Sequence, residues 1–142
     1  MAYWLLKSEP DAWSWDQMVQ AGPKGTAWTG IRNHTAKLNM MKMKKGDRGF
    51  FYHSNVGKEI VGIVEVIREA YPDPTAKAGE PWVCVDVKAV EAVPQPVTLA
   101  AIKAAPKLAE IQLLRQSRLS LPSITDAEWK LVCKMGGLKE RG

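Results

Sequence analysis

The strongest restriction on the fold lies in the first ten residues, where an apolar stretch ends abruptly in polar residues. Residues 3–6 are two aromatic residues and two leucines, and residues 7–10 are lysine, serine, glutamate and proline. A stretch of this kind so close to a terminus is held in place only when a sheet buries it. Pro10 ends the strand because it has no N–H for the ladder. The sequence therefore predicts a core strand that leaves Lys7, Ser8 and Glu9 at the rim of the core.

The length of 142 residues favours one domain over residues 1–142, which can bury about two thirds of its unfolded surface. No apolar run reaches the roughly 18 residues of a membrane helix, and the first residues lack the pattern of a signal peptide. We therefore expect a soluble, cytoplasmic protein.

Cys84 and Cys133 are too few for a disulfide framework or a four-cysteine metal site, and we expect both to be buried as small apolar side chains. We expect no cofactor and no metal.

The net charge of +5 is distributed unevenly along the chain. Residues 1–58 carry nine basic and four acidic residues, residues 59–97 three and seven, and residues 98–142 eight and four. Two basic regions flanking an acidic one are consistent with a basic surface that attracts a polyanion, or with ordinary solvated charge. The candidate phosphate-binding side chains are Lys37, Lys42, Lys44, Lys45, Arg115 and Arg118.

Three residues have the spacing or type of helix caps. Ser14 precedes Gln17 by three positions and Thr125 precedes Glu128 by three, so each pair predicts a capping box and a helix after it. The terminal helix would place Trp129 on its apolar side. Asn33 predicts the start of another helix, through about residue 44, with Gly46 as its left-handed C-terminal cap. The expected apolar stripe of that helix is Leu38 and Met41, with Ile31 beside it.

Further strands are predicted from aromatic and β-branched runs over residues 48–54, 60–71 and 82–88, the first two forming a hairpin. Gly62 indicates a bulge or a close backbone approach. Residues 72–81 are expected to form a loop, residues 93–96 a connector, and residues 115–121 an edge strand, and short helices should follow Thr98 and Pro106. Strands mixed with short helices favour an α+β domain with a curved, mostly antiparallel sheet or small barrel.

Tryptophan is unusually frequent, with six in the chain against two phenylalanines. Trp4 and Trp129 lie on apolar stripes, and their pattern is typical of core side chains. Trp13, Trp15 and Trp28 lie instead among polar residues in predicted turns, where an indole can either pack in the core or stack on a base. The strongest candidate for stacking is Trp28.

Arg32 and Asn33 are suited to contact a base edge, one as a planar donor fork and the other as a donor and acceptor amide, although Asn33 also has the role of a helix cap.

A catalytic alternative uses His53 as a general base, Ser8 or Ser54 as a nucleophile and Glu9 as the orienting group. No nucleophile-elbow spacing supports this arrangement, and a histidine hydrogen-bonded at a strand end explains His53 better. His34 and His53 also lack the spacing of a metal site.

Motifs spread over nearly the whole chain carry a family resemblance. They comprise residues 3–5 with 7–10, residue 28 with 30–33, and residues 46–48, 51–55, 61–63, 70–75 and 117–120. In this combination the chain resembles the EVE domain of the PUA-like superfamily. The resemblance implies a curved β-barrel with helices over its openings, and a pocket related to that of YTH domains, which bind modified bases in nucleic acid.

Carried over position by position, the resemblance implies a set of ligand-binding residues. They are Ser8, Glu9, Trp28, Arg32, Asn33, Tyr52, His53, Ser54, Ser117 and Arg118, the last two at the rim. Family members commonly have an acidic residue directly after the pocket tryptophan, where this chain has Thr29, so its ligand preference can differ.

The leading hypothesis is a non-enzymatic reader that binds a modified base of DNA or RNA in an aromatic and polar pocket and the backbone on a basic surface. The alternative is a small hydrolase acting on a modified nucleoside or nucleotide, with Lys7 and Glu9 as the catalytic pair. A protein-interaction module that holds a peptide or metabolite is a third possibility. We expect a monomer with nucleic acid, and no membrane, as its partner.

Overall fold

The computed structural model describes residues 2–138. Its strands are β1 Tyr3–Ser8, β2 Thr26–Ala27, β3 Arg48–His53, β4 Glu59–Pro72, β5 Val83–Thr98 and β6 Ser123–Ile124. Its α-helices are α1 Trp15–Gln20, α2 His34–Lys42, α3 Leu99–Ala104, α4 Gln112–Arg115 and α5 Asp126–Met135. Short 3₁₀ turns lie at Gly22–Lys24 and Pro106–Leu108.

Within these residues the strands form a six-stranded sheet in the order β2-β5-β4-β3-β1-β6. β1 runs parallel to β3, and the other neighbouring strands pair antiparallel. The long strands β4 and β5 change register at several points along their pairing. Such irregularities bend and twist a sheet. The mostly antiparallel curved sheet with short helices confirms the predicted α+β class.

The opening strand is buried as predicted, because β1 lies between β3 and β6. Its side chains alternate between two cores on opposite faces of the sheet. Trp4 and Leu6 enter the first core, to which α1 and α2 contribute, and Leu5 enters the second, which includes Ile102 of α3 and Trp129 of α5. Position along β1 therefore decides which core a side chain joins.

The predicted capping boxes are confirmed. The Ser14 hydroxyl accepts from the Gln17 N–H and the Gln17 side chain accepts from the Ser14 N–H, and Thr125 and Glu128 make the same reciprocal pair. Thr98 likewise caps α3. Each motif is satisfied within a few residues of the chain, so the sequence alone carries it.

The prediction for α2 was right at its start and wrong afterwards. Asn33 caps it through the Ala36 N–H, but the helix ends at Lys42, and Met43 continues in an extended conformation. Gly46 does not cap the helix, since its N–H donates to the Val66 carbonyl.

The predicted apolar stripe of α2 was also wrong, apart from Ile31 beside it, which is buried. Leu38 and Met41 are 55% and 52% exposed, and Ala36 and Met40 are buried instead. Ala36 and Met40 lie one helical turn apart, on the side of α2 that faces the first core.

Two predictions in the second half of the chain were wrong. Residues 93–96 are not a connector, because β5 continues through them. The pairing of β4 with β5 is irregular at this place: Gly62 pairs with Ala92 but Ile60 pairs with Val97. Prolines are tolerated at such a bulge because they lack the N–H that a regular ladder needs. Residues 115–121 form no strand, since Arg115 ends α4; the Ser120 carbonyl accepts from the Lys7 N–H of β1, but the paired strand β6 is Ser123–Ile124.

Gly62 has both predicted features. The pairing of β4 with β5 is irregular beside it, and the Trp15 indole lies against its backbone, so that a Cβ atom there would be 2.3 Å from the ring. Trp15 is therefore a core side chain, 9% exposed and edge-on to Phe51. Cys84 and Cys133 are buried free thiols, as predicted.

Among the helices of residues 2–138, none combines the length and the apolar character needed to cross a membrane.

Candidate functional site

A cavity of about 400 Å³ opens where β1 ends. Its walls come from three parts of the chain: the end of β1 at Lys7, Ser8 and Glu9, the turn before α1 at Trp13, and the segment 26–31. The abrupt change from apolar to polar residues in the first ten positions therefore becomes one wall of this cavity, as the sequence indicated.

Two indoles supply the aromatic surface of the cavity. Trp28 is 7% exposed, its backbone N–H donates to the Val85 carbonyl at 2.7 Å, and its ring meets Phe51 edge-on with 5.7 Å between centroids. Trp13 is only half-buried, and its indole nitrogen lies 3.4 Å from the Met18 sulfur. Trp28 thus belongs to the core as well as to the cavity, and Trp13 offers the more accessible ring.

The polar groups of β1 are already oriented. The Ser8 hydroxyl donates to the Trp13 carbonyl at 2.5 Å, which leaves its oxygen as an acceptor. Glu9 accepts from the Asn55 side chain at 2.9 Å. The Lys7 ammonium donates to the Ser117 carbonyl at 2.7 Å and keeps further donors, and burial lowers the Lys7 pKa from its ordinary value. The rim can therefore offer both a carboxylate acceptor and an ammonium donor.

Asp73 fixes the segment that forms the opposite wall. Its side chain is buried and accepts from the Gly30 N–H at 2.9 Å, from Arg32 at 3.2 Å, and from the Thr75 hydroxyl and N–H at 2.7 Å. Burial raises the Asp73 pKa, but the hydrogen bonds from Thr75, Gly30 and Arg32 outweigh it and lower the pKa to about 2. Asp73 is a supporting residue that sequence reasoning missed, although the 70–75 motif contained it.

Arg32 does not line the cavity. Its guanidinium pairs with Asp73 and Thr75 and lies 5.8 Å from the centre of the Trp82 ring. The structure therefore gives Arg32 contacts that hold the neighbouring cavity wall in place.

A smaller cavity of about 210 Å³ brings Asn33 and Arg118 together with Thr35, Gln116 and Leu119. The Ser117 carbonyl, between Gln116 and Arg118 in the chain, accepts a hydrogen bond from Lys7 of the first cavity. The predicted rim residues Ser117 and Arg118 thus lie beside the start of α2.

The predicted residues of β3 lie behind or beside the cavity wall. Tyr52 is 4% exposed in the second core, where burial raises its pKa. The His53 ring nitrogen accepts from the Trp15 backbone N–H at 3.0 Å. Burial lowers the His53 pKa and outweighs the carboxylates of Glu59 and Asp16, which raise it. The lowered pKa favours the neutral ring that this hydrogen bond requires. The Ser54 N–H donates to the Ser8 carbonyl at 2.9 Å.

Of the ten predicted site residues, three line the larger cavity: Ser8, Glu9 and Trp28. The lining residues absent from that set include Lys7, Trp13 and Thr29. Trp13 had a sequence signal, an aromatic residue among polar neighbours in a turn. Thr26, Ala27, Gly30 and Ile31 also line the cavity, and their residue types gave no signal of a site. In the described part of the chain, no group of three or more His, Cys, Asp or Glu side chains could hold a metal ion.

The fold and cavity together define a curved α+β domain with an aromatic and polar pocket at the end of its first strand. A model of the EVE domain matches residues 2–135, and the chain belongs to the EVE domain family. This confirms the resemblance found in the sequence.

Solved structures of related proteins match this chain over almost their whole length, whereas the related thymocyte nuclear protein 1 extends beyond the match. The NMR structure of a Rhodopseudomonas palustris protein is 63% identical, with a TM-score of 0.93 and coverage of 99% of this chain and 97% of that one. Human THYN1, solved in complex with 5-methylcytosine containing DNA, is 30% identical, with a TM-score of 0.88 and coverage of 99% and 100%. Thymocyte nuclear protein 1 of Gallus gallus is 31% identical over 94% of this chain and 68% of its own.

The YTH domain of a Zygosaccharomyces rouxii protein has a TM-score of 0.58 at 13% identity, covering 99% of this chain and 87% of that one. At that identity the likeness concerns the fold, and it agrees with the predicted relation to YTH and PUA-like domains.

Proposed function

We propose that this protein is a non-enzymatic reader that binds a modified base of DNA or RNA in the cavity between Trp13 and Trp28. The observation that carries the proposal is the cavity itself, in which indole rings adjoin a carboxylate and an ammonium group. A base needs such a combination, since its face stacks on aromatic rings and its edge forms hydrogen bonds. Human THYN1, which shares the fold and the family, binds 5-methylcytosine containing DNA.

In the proposed complex the base stacks on the exposed side of Trp13 and abuts Trp28. Glu9 accepts from an amino group on the base edge, and Lys7 donates to a ring nitrogen or carbonyl. Ser8 offers an acceptor lone pair, because its own proton is used by the Trp13 carbonyl. This pattern favours bases that present a donor beside an acceptor, as cytosine and adenine do.

The remaining predicted residues have supporting roles in this proposal. Arg32 holds the wall through Asp73, and His53 and Ser54 hold the turn of α1 and the end of β1 through their backbone partners. Tyr52 supports β3 from the second core. Asn33 and Arg118 line the smaller cavity, where Arg118 would contact a phosphate next to the bound base, and the Ser117 carbonyl accepts from Lys7.

A basic surface for the backbone is supported by exposed lysines at the end of α2 and after it. Lys42, Lys44 and Lys45 are exposed, whereas Arg115 is paired with Glu110 at 2.6 Å. We therefore propose that α2 and Arg118 contribute more to phosphate binding than Arg115 does.

The proposal is tested by fluorescence anisotropy with single-stranded oligonucleotides that differ only in one base, cytosine, 5-methylcytosine, adenine or N6-methyladenine, followed by mass analysis of the bound strand. We expect tighter binding of one modified strand and recovery of that strand with unchanged mass. Equal affinity for all strands would contradict base reading. A product of altered mass would favour the hydrolase. The Glu9→Gln variant should then lose this product while it still binds the strand.

We further propose that residues 1–142 act as a single, monomeric domain in the cytoplasm, where the two buried thiols stay reduced. Light scattering after size exclusion tests the monomer, and cell fractionation tests the location.

A further inference from the structure

The turn between β3 and β4 carries the most exposed of the large apolar side chains in the described residues. Val56, at the centre of this turn, is 61% exposed. We propose that Val56 is a wedge that enters a duplex and fills the space left when the modified base moves into the cavity. This inference rests on the proposed function, and it adds the kind of nucleic acid recognised and the residue that opens it.

The turn is hydrogen-bonded to two residues that line the cavity. At its start, the Ser54 N–H donates to the Ser8 carbonyl at 2.9 Å, and the Asn55 side chain donates to Glu9 at 2.9 Å. Ser8 and Glu9 both line the cavity. Val56 therefore lies one residue beyond a group that is hydrogen-bonded to the cavity rim, so a base held in the cavity would leave its strand close to Val56.

The turn is also hydrogen-bonded within itself and to the start of α3. Asn55 and Lys58 have positive φ values of 65° and 48°, and the Val56 N–H donates to the Ser54 carbonyl at 2.8 Å. At its far end, the Lys58 carbonyl accepts from the Leu99 N–H at 2.9 Å. A β-branched valine has few side-chain rotamers to lose. Insertion of Val56 thus requires little ordering of the protein, which favours binding.

The chemistry of base extrusion explains why an apolar tip is useful at this place. A base that leaves a duplex breaks its stacking on both neighbours, and proteins compensate by inserting apolar side chains between base steps. Single exposed apolar residues are common on protein surfaces. Val56 differs from such a residue because it follows Asn55, which is hydrogen-bonded to Glu9 at the cavity. The exposed Lys58, two residues later, can also contact an adjacent phosphate.

A single strand has no base-paired partner strand, so a wedge that fills the gap in a duplex should matter for duplexes alone. The test compares Val56→Ser with Val19→Ser, a matched control on α1 that is 52% exposed and does not line the cavity. The probe is one 5-methylcytosine oligonucleotide, used as a single strand and as a duplex with 2-aminopurine next to the modified base. Melting curves establish that both variants are folded.

We expect Val56→Ser to weaken duplex binding by about tenfold and to abolish the rise in 2-aminopurine fluorescence, with single-strand affinity unchanged. Val19→Ser should change neither. Unchanged duplex affinity in Val56→Ser, or an equal loss on single strands, would overturn the wedge alone. A wild-type protein that binds modified and unmodified single strands equally would overturn the proposed function, and the wedge with it.

Discussion

At the scale of single residues, Trp28 has two roles that sequence reasoning treated as alternatives. Its ring packs on Phe51 and is almost fully buried, yet one side of it lines the cavity. Substitution of Trp28 therefore affects stability and binding together. Trp13 is the better residue for isolating the binding contribution, because it is half-buried and packs at the margin of the first core.

We expect Trp28→Ala to lower the free energy of unfolding by about 3–5 kcal/mol, because a buried indole is lost from a packed core. Trp13→Ala should cost clearly less. Urea denaturation of both variants measures the difference. Equal stability of Trp28→Ala and the wild-type protein would contradict the placement of Trp28 in the core.

Asp73 leads to a prediction about pH. Its pKa is lowered from 3.8 to about 2 in the folded protein, so the folded state holds the proton less tightly than the unfolded state. Its stabilising contribution is therefore complete above about pH 4 and is lost as the pH falls from 4 to 2. We expect the wild-type protein to lose about 2 kcal/mol more stability than Asp73→Asn over this range.

Denaturant titrations of both proteins at a series of pH values between 2 and 6 make this comparison, and parallel pH profiles would contradict it. Sequence alone could not reveal this role. The Asp73 partner Gly30 is 43 positions away, and nothing near Asp73 in the chain signals the contact.

At the scale of elements, local signals were predictable and orientation was not. The caps at Ser14, Asn33 and Thr125 were correct because each motif is satisfied within three residues. The prediction of the buried side of α2 was wrong: Leu38 and Met41 are exposed, and Ala36 and Met40 are buried instead. Which side of a helix meets a sheet depends on the path of the chain after the cap, and composition does not record it.

Adjacent methionines of α2 allow a matched test of that orientation. Met40 is fully buried and Met41 is 52% exposed. We expect Met40→Ala to lower the free energy of unfolding by about 2–5 kcal/mol and Met41→Ala to change it by less than about 0.5 kcal/mol. Thermal or urea unfolding measures both. Similar losses in the two variants would mean that α2 is rotated relative to the described structure.

At the scale of the whole molecule, the sequence predicted the fold class and a polar rim at the end of β1, where the cavity opens, but few of the residues that line that cavity. The polar end of β1 was recognisable because the change in residue type is abrupt. The cavity wall at residues 26–31 and the support from Asp73 depend on chain segments that only the folded sheet brings together.

The net charge of +5 leads to a prediction about salt. If lysines after Met41 contact phosphates, affinity for a single strand should fall with salt, with a slope of log K against log salt of about −0.7 for each contact. Lys42→Glu with Lys45→Glu should weaken modified and unmodified strands alike, because phosphate contacts carry no sequence information. The control reverses two exposed lysines on α3 and α5, Lys103→Glu and Lys130→Glu. An equal effect of the control pair would locate the phosphates elsewhere.

The central claim is that the modified base lies in the cavity at the end of β1. The most direct measurement is the ratio of the Kd for an unmodified strand to that for its modified counterpart, determined for the wild-type protein and for Trp13→Ala. Stacking on one ring contributes about 1–3 kcal/mol, so Trp13→Ala should weaken binding of the modified strand by about tenfold or more and bring the ratio close to one, with the unmodified strand little affected. A ratio that stays at the wild-type value in a folded Trp13→Ala protein would contradict the claim, because the base would then be recognised outside this cavity.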